Sequence, residues 1–344
     1  MIAASQAFVA RSWQKSIITP PLTCRFQPKS ISGKAVACFQ NTTHVYSKLQ
    51  RSFATNSGQP HLRVLVVGCN GHLGRAVVSR LGNPTNSDSY RSEIIGVDIS
   101  PQQQQLSGSN TFKVDKFVQL DPEIGNDLQN LTSRLSSIIS TEHEREAKFN
   151  RKPLLDVIIC TAGSFEPSDL TSPDKFSSTM KNMLCTNLFP VLSCVPLAMT
   201  HLNPTDGLFI AIGATGALLS SPNETFAHGV SKAAVHHTIT SLAATTKSTT
   251  KGVKKAPRKQ FTSIGILPGV LDTPSNRESM PGEKFDSWIN PDDIAEEIGV
   301  WVNHKSLRPH SGSLIKVFSE RKKMQRKGID GNMAPSKTVF RIAR

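Results

Sequence analysis

The chain has 344 residues, 38% of them hydrophobic, and a formal net charge of +14. That is enough apolar material for one large folded unit and excludes disorder throughout, and no run of about 18 consecutive apolar residues marks a membrane-spanning helix. Nor does the charge describe a basic binding face: residues 1–60 hold seven Lys/Arg and no acid, residues 321–344 hold eight Lys/Arg against Asp330 alone, and the stretch between them balances at 25 of each sign. Phosphate recognition needs clustered, ordered charge, so nucleic acid is not an expected partner.

Residues 1–58 read as an organelle transit peptide and linker. Arg11, Lys15, Arg25, Lys29, Lys34, Lys48 and Arg51 are spread through a Ser-rich stretch, and the first acid is Asp88; import machineries respond to this composition. Arg51-Ser52-Phe53-Ala54-Thr55 reads as a processing region and Asn56 to Pro60 as the linker after it. Mitochondrion is the expected destination. A plastid presequence shares the composition, and a basic tail kept on a cytoplasmic protein is the plain alternative.

Residues 59–320 then alternate apolar strand, turn and amphipathic helix, the pattern of a single α/β domain with a Rossmann-like, doubly wound parallel sheet. Strands are expected at 63–67, 93–98, 117–120, 155–160, 207–212, 262–267 and 313–318. Helices are expected at 73–81, 123–140, 175–201, 231–245 and 292–304, the third kinked or broken at Pro190 and Pro196. Gln102 to Asn110 and the basic stretch Lys247 to Lys259 read as surface inserts, and residues 321–344 as a basic tail. Six cysteines without a C-x-x-C pair, and histidines without H-E-x-x-H, give no reason to expect a metal.

The chemistry begins where the first strand runs into Gly68-Cys69-Asn70-Gly71-His72-Leu73-Gly74. Glycine permits a tight turn and lets backbone approach a pyrophosphate, while the following helix offers free N–H groups to the anion. A three-glycine turn alone is weak; after a strand and before a helix it points to a dinucleotide, with Gly68, Asn70, Gly71, Leu73 and Gly74 as the candidate cradle. Asp98 ends the second strand, near the offset at which a carboxylate receives the adenosine ribose hydroxyls, so NADH is expected ahead of NADPH, whose 2′-phosphate it would repel. The fourth strand leaves through Ala162 and Gly163, a small-residue exit across the sheet from the glycine turn.

Together with Lys232 on a helix after the fifth strand and Pro268-Gly269 after the sixth, these residues resemble the short-chain dehydrogenase/reductase superfamily. Within it, Gly265 to Pro281 (GILPGVLDTPSNRESMP), Phe285 to Trp288 (FDSW) and Arg308 to Ile315 (RPHSGSLI) resemble quinonoid dihydropteridine reductases. The resemblance spans about residues 62–320. It implies NADH-dependent reduction of quinonoid 6,7-dihydropteridine (dihydrobiopterin) to the tetrahydropterin, and a homodimer paired through the helices at about 175–201 and 229–245. It also implies that Pro268 and Thr273 hold the nicotinamide carboxamide and that Asn276, Arg277 and Met280 lie over the substrate.

One departure bears on mechanism. Superfamily reductases act with Tyr-x-x-x-Lys, in which the lysine lowers the pKa of a proton-donating phenol. Here the segment is His228-Gly229-Val230-Ser231-Lys232, and the tyrosines, Tyr46 and Tyr90, lie far off in sequence. His228 is the expected donor, since imidazole titrates near neutral pH, with Lys232 and Asn187 beside it. The serine usual after the fifth strand is absent from Ile212 to Gly216. The alternative is a non-catalytic NAD-binding protein that has lost its proton donor.

Overall fold

A computed structural model describes residues 61–83, 91–101, 114–147, 155–220, 222–247, 260–320 and 337–343. They all fall within one compact unit, Gln59–Arg344. The presequence, both tyrosines, the Gln-rich insert from 102, the basic insert from 248 to 259 and residues 321–336 lie outside the described residues.

One sheet organises the unit. Its strands are β1 (His61–Val67), β2 (Arg91–Asp98), β3 (Lys116–Gln119), β4 (Val157–Cys160), β5 (Leu208–Ile212), β6 (Thr262–Pro268), β7 (Ser313–Glu320) and β8 (Lys337–Ile342). They lie in the order β3-β2-β1-β4-β5-β6-β7-β8, parallel through β7. Strand order reverses between β1 and β4, and that reversal opens a crevice at the carboxyl ends of the strands, where doubly wound sheets bind ligands. The strands read as continuous apolar runs because both faces are covered. Val64 and Val66 pack toward α1 (His72–Gly82) and α7 (Pro291–Asn303) on one side. Leu65 and Val67 pack toward α2 (Leu128–Ala147), α4 (Phe189–His201) and α5 (Phe226–Lys247) on the other.

α7 shows how local chemistry sets an element. Asn290 accepts from Asp292 N at 3.0 Å, Pro291 occupies the first turn, and Asp292 and Asp293 complement the positive end of the helix dipole. Ile294, Ala295, Ile298, Trp301 and Val302 then recur at helical spacing and are buried on one face.

The helix expected at 123–140 begins later, at Leu128. A 3-10 turn, Pro122–Asn126, precedes it, and the Asp127 carboxylate accepts from Asn130 N at 2.7 Å, which fixes the new start. Neither proline breaks the helix at 175–201. α3 (Pro173–Met183) passes through a π-helical turn, Leu184–Leu188, into α4, so the irregularity sits just ahead of Pro190, whose missing N–H cannot continue the α pattern. By length and composition Pro173–His201 is apolar enough to cross a membrane, with half of its most apolar window buried inside the unit, as in a core helix. Within the segment read as a basic tail, β8 pairs antiparallel with β7, Phe340 packs on the core, and Arg341 lies over the Phe318 ring at 5.0 Å.

Candidate active site

The nucleotide end is built from backbone. Gly68 has φ +85°, and a β-carbon there would lie 2.4 Å from Ala162 N, so both the turn and the close approach of the chain leaving β4 require glycine at position 68. At Gly74 a β-carbon would fall 2.1 Å from Gly68 O, which is how closely α1 sits on the turn. Gly71 meets nothing nearer than Gly68 O at 3.5 Å. It precedes a helix start that carries no side-chain cap and no acid in its first turn, leaving N–H groups to an anion. Leu73 is buried in the core and helps seat the helix.

Asp98, 8% exposed, receives the Asn70 N–H on Oδ2 at 2.8 Å; its Oδ1 accepts from Ser100 N at 2.9 Å and Ser100 Oγ at 2.8 Å. A carboxylate has about four acceptor sites, so capacity remains for a hydroxyl. The Asn70 side chain donates to Ser100 O at 2.9 Å and to Pro101 O at 3.0 Å, while its buried Oδ1 has no partner among the described residues. A buried acceptor without a donor, beside a carboxylate and an open glycine turn, fits a ligand that brings hydroxyl or amino groups, as the adenosine half of a dinucleotide does.

The reacting end gathers on α5 and the π-helical turn. Lys232, 5% exposed, donates to Ile212 O at 2.9 Å, and burial lowers its pKa to about 8. Asn187, turned fully inward by the wide turn, accepts from Ser164 N at 2.9 Å and donates to Ser231 Oγ at 3.1 Å. Ser231 Oγ in turn donates to His228 O at 2.8 Å. Gly163 is the seat for both polar ends: a β-carbon there would lie 2.8 Å from Asn187 Oδ1 and 2.9 Å from Lys232 Nζ.

His228 stands edge-on to the exposed Phe165 ring, centroids 5.5 Å apart. Burial first, and the Lys232 charge second, hold its pKa down to about 4. This corrects the expectation of an imidazole titrating near pH 7: the ring is neutral there, a hydrogen-bond donor rather than a charged acid. His236, which no sequence motif singled out, is 7% exposed and accepts from Ala214 N at 3.2 Å. Its position four residues after Lys232, on the same helix face, was the available signal.

Pro268 ends β6, and Thr273 caps α6 (Pro274–Ser279) by accepting from Asn276 N at 3.2 Å. Asn276 donates its side-chain N–H to Leu271 O at 2.8 Å, and Met280 is half-buried. The Arg277 guanidinium is taken up by Asp272, at 2.5 and 2.8 Å, and by the Phe285 ring at 4.7 Å. These three residues hold the segment after β6 in shape, whereas Gly163, Asn187 and Lys232 meet around one point, with His228 near enough to feel the Lys232 charge and tied to the cluster by its carbonyl through Ser231.

No family model matches the chain. It is 34% identical over 176 residues to a dihydropteridine reductase of Dictyostelium discoideum, an alignment covering 51% of this chain and 71% of that protein. It is 25% identical over 184 residues to the short chain dehydrogenase asqE of Emericella nidulans, covering 52% and 63%. Among solved structures, a short chain dehydrogenase family protein of Francisella tularensis matches with TM-score 0.54 at 21% identity, over 75% of this chain and 97% of that one. A short-chain dehydrogenase/reductase of Serratia marcescens matches with TM-score 0.55 at 17% identity, over 74% and 95%. The structural matches carry the fold and the first sequence match carries the family: this chain belongs to the dihydropteridine reductases of the short-chain dehydrogenase/reductase superfamily and is an oxidoreductase.

Proposed function

We propose that the protein reduces quinonoid 6,7-dihydropteridine (dihydrobiopterin) to its tetrahydro form with NADH, NADPH being the poorer donor. The observation that carries this reading is the similarity to the Dictyostelium dihydropteridine reductase across 71% of that protein. The Asp98 carboxylate at the end of β2 supports the choice of NADH, since it accepts hydrogen bonds and repels a 2′-phosphate.

The glycine turn and the α1 N-terminus would hold the pyrophosphate, Asp98 the adenosine ribose, Lys232 the nicotinamide ribose, and Pro268 with Thr273 the carboxamide. When bound, the reduced nicotinamide supplies the hydride. The chain's part is to orient the two rings and manage one proton. Lys232 holds a proton at Nζ below about pH 8, neutral His228 offers an N–H from the rim beside Phe165, and Asn187 fixes Ser164 and Ser231 around them. A quinonoid acceptor is already strongly oxidising, so positioning supplies most of the acceleration and a phenol is dispensable. Retention of Lys232 and Asn187 in one cluster favours this enzyme over a non-catalytic NAD-binding protein.

Two further parts of the reading concern the whole protein. Two copies would pair through the helices at about 175–201 (α3 and α4) and 229–245 (α5), where Val230 is 41% exposed, and residues 1–58 would direct import into mitochondria. The test is NADH oxidation on adding freshly generated quinonoid dihydropterin to the full chain, with NADPH in parallel. Sedimentation gives the oligomeric state, and imaging of a C-terminally tagged chain gives the destination.

A further inference from the structure

Helix α5 grips the exit of β5 from two successive turns. Lys232 Nζ donates to Ile212 O at 2.9 Å, and four residues on His236 Nε2 accepts from the Ala214 N–H at 3.2 Å. Gly213, between the two grips, has no room for a side chain: a β-carbon there would lie 2.4 Å from His236 Nε2. Just beyond, Thr215 Oγ1 donates to Leu267 O at 2.6 Å and ties the exit of β5 to the end of β6, next to Pro268. One lysine donor, one histidine acceptor and one threonine donor thus fix four residues of backbone at the mouth of the crevice.

A polar ring in a buried site is costly unless it is bonded. Because Nε2 accepts, the ring must be neutral with its proton on Nδ1. Burial, and then the Lys232 charge, hold its pKa down to about 4, so the acceptor is present at neutral pH. No serine lies in Ile212 to Gly216 to anchor this loop from within.

We propose that His236 is a positioning residue for hydride transfer, acting through the Ala214 N–H to hold the arch 212–214, the carbonyl that Lys232 grips, and the loop that would border a bound nicotinamide. The proposal rests on the reductase reading above, and its test has one readout that does not.

That readout is the imidazole nitrogen NMR spectrum of the full chain without cofactor, with the His236 signals identified by their loss in His236→Gln; the Nδ1–H tautomer is expected. The second readout is steady-state kinetics. His236→Leu is expected to lose kcat about tenfold or more, with both KM values within about threefold, because misplacing a reacting group costs rate rather than binding. His236→Gln, whose carboxamide oxygen can still accept, restores kcat to within about threefold of wild type. Gly213→Ala, which drives the ring aside without removing it, falls with His236→Leu and guards against a Leu variant that fails to fold. An Nε2–H tautomer overturns the proposal, as does wild-type kcat in folded His236→Leu. Should the wild-type protein leave NADH untouched, the reductase reading falls and the hydride-transfer role with it, while an Nδ1–H tautomer still upholds the His236 anchor on Ala214.

Discussion

Gly163 lies so close to Lys232 that a β-carbon on it would sit 2.9 Å from Nζ, and 2.8 Å from Asn187 Oδ1. The exit of β4 is therefore shaped by two side chains from elsewhere in the sequence, both buried and both hydrogen-bonded. Gly163→Ala must push them off their partners. The ends that move belong to side chains rather than backbone, so the melting temperature is expected to shift by only a few degrees, while kcat/KM falls about tenfold or more. Thermal melts alongside NADH oxidation separate the two effects.

The pH dependence follows from three lowered pKa values. Lys232, at about 8 instead of 10.5, carries its proton at neutral pH, so turnover that needs that charge is lost as pH rises through about 8. His228 and His236, at about 4 instead of 6.5, are neutral in the fold. Between those values the unfolded chain binds more protons than the folded one, so the histidines' contribution to stability is full above about 6.5 and is lost as pH falls toward 4. Lys232 acts with the same sign in a higher window, its contribution present above about 10.5 and lost as pH falls through about 8. Denaturant titrations across that range, and kcat from pH 6 to pH 9, are the measurements. An activity limb near 6.5 that vanishes in His228→Ala would contradict the neutral imidazole.

His228→Tyr places a phenol four residues before Lys232, the usual superfamily arrangement. It is expected to raise kcat or to add an alkaline shift to its pH profile, whereas His228→Ala, which removes a neutral N–H donor, lowers kcat by less than about a hundredfold, below what a general acid contributes. Coincident pH profiles for wild type and both variants would show that this position exchanges no proton with substrate.

Asp98→Asn keeps the size of the side chain and removes its charge. Three hydrogen bonds from Asn70 N, Ser100 N and Ser100 Oγ lose a charged acceptor, at a cost of about 1–3 kcal/mol. The KM for NADH is expected to rise about tenfold, and the preference for NADH over NADPH to narrow. An unchanged ratio of kcat/KM for the two donors would remove Asp98 from cofactor choice.

Much of this was legible before the fold was seen. The central parallel strands were plain because strands covered on both faces must be apolar throughout, whereas the short β3 and the half-exposed β7 carry a weaker signal; Gly68, Asp98 and Lys232 stood out because a crossover fold places each at a strand end or facing one. What escaped depends on contacts between distant segments. β8 is six residues inside a basic stretch, and its placement is settled by Phe340 and Arg341 meeting β7 and the core. Pro190 marked an irregular helix but not the π-helical turn that buries Asn187. The neutrality of His228 comes from its burial and from Lys232, and the engagement of Arg277 by Asp272 and Phe285 from how the segment after β6 folds on itself.

The most direct test mixes the full chain with NADH and freshly generated quinonoid dihydropterin and follows NADH absorbance beside the same mixture with Lys232→Met. Steady oxidation by the wild type, slowed about a hundredfold or more in the variant, is expected. Tight NADH binding with no oxidation above the uncatalysed background, or equal rates for the two proteins, would contradict the account.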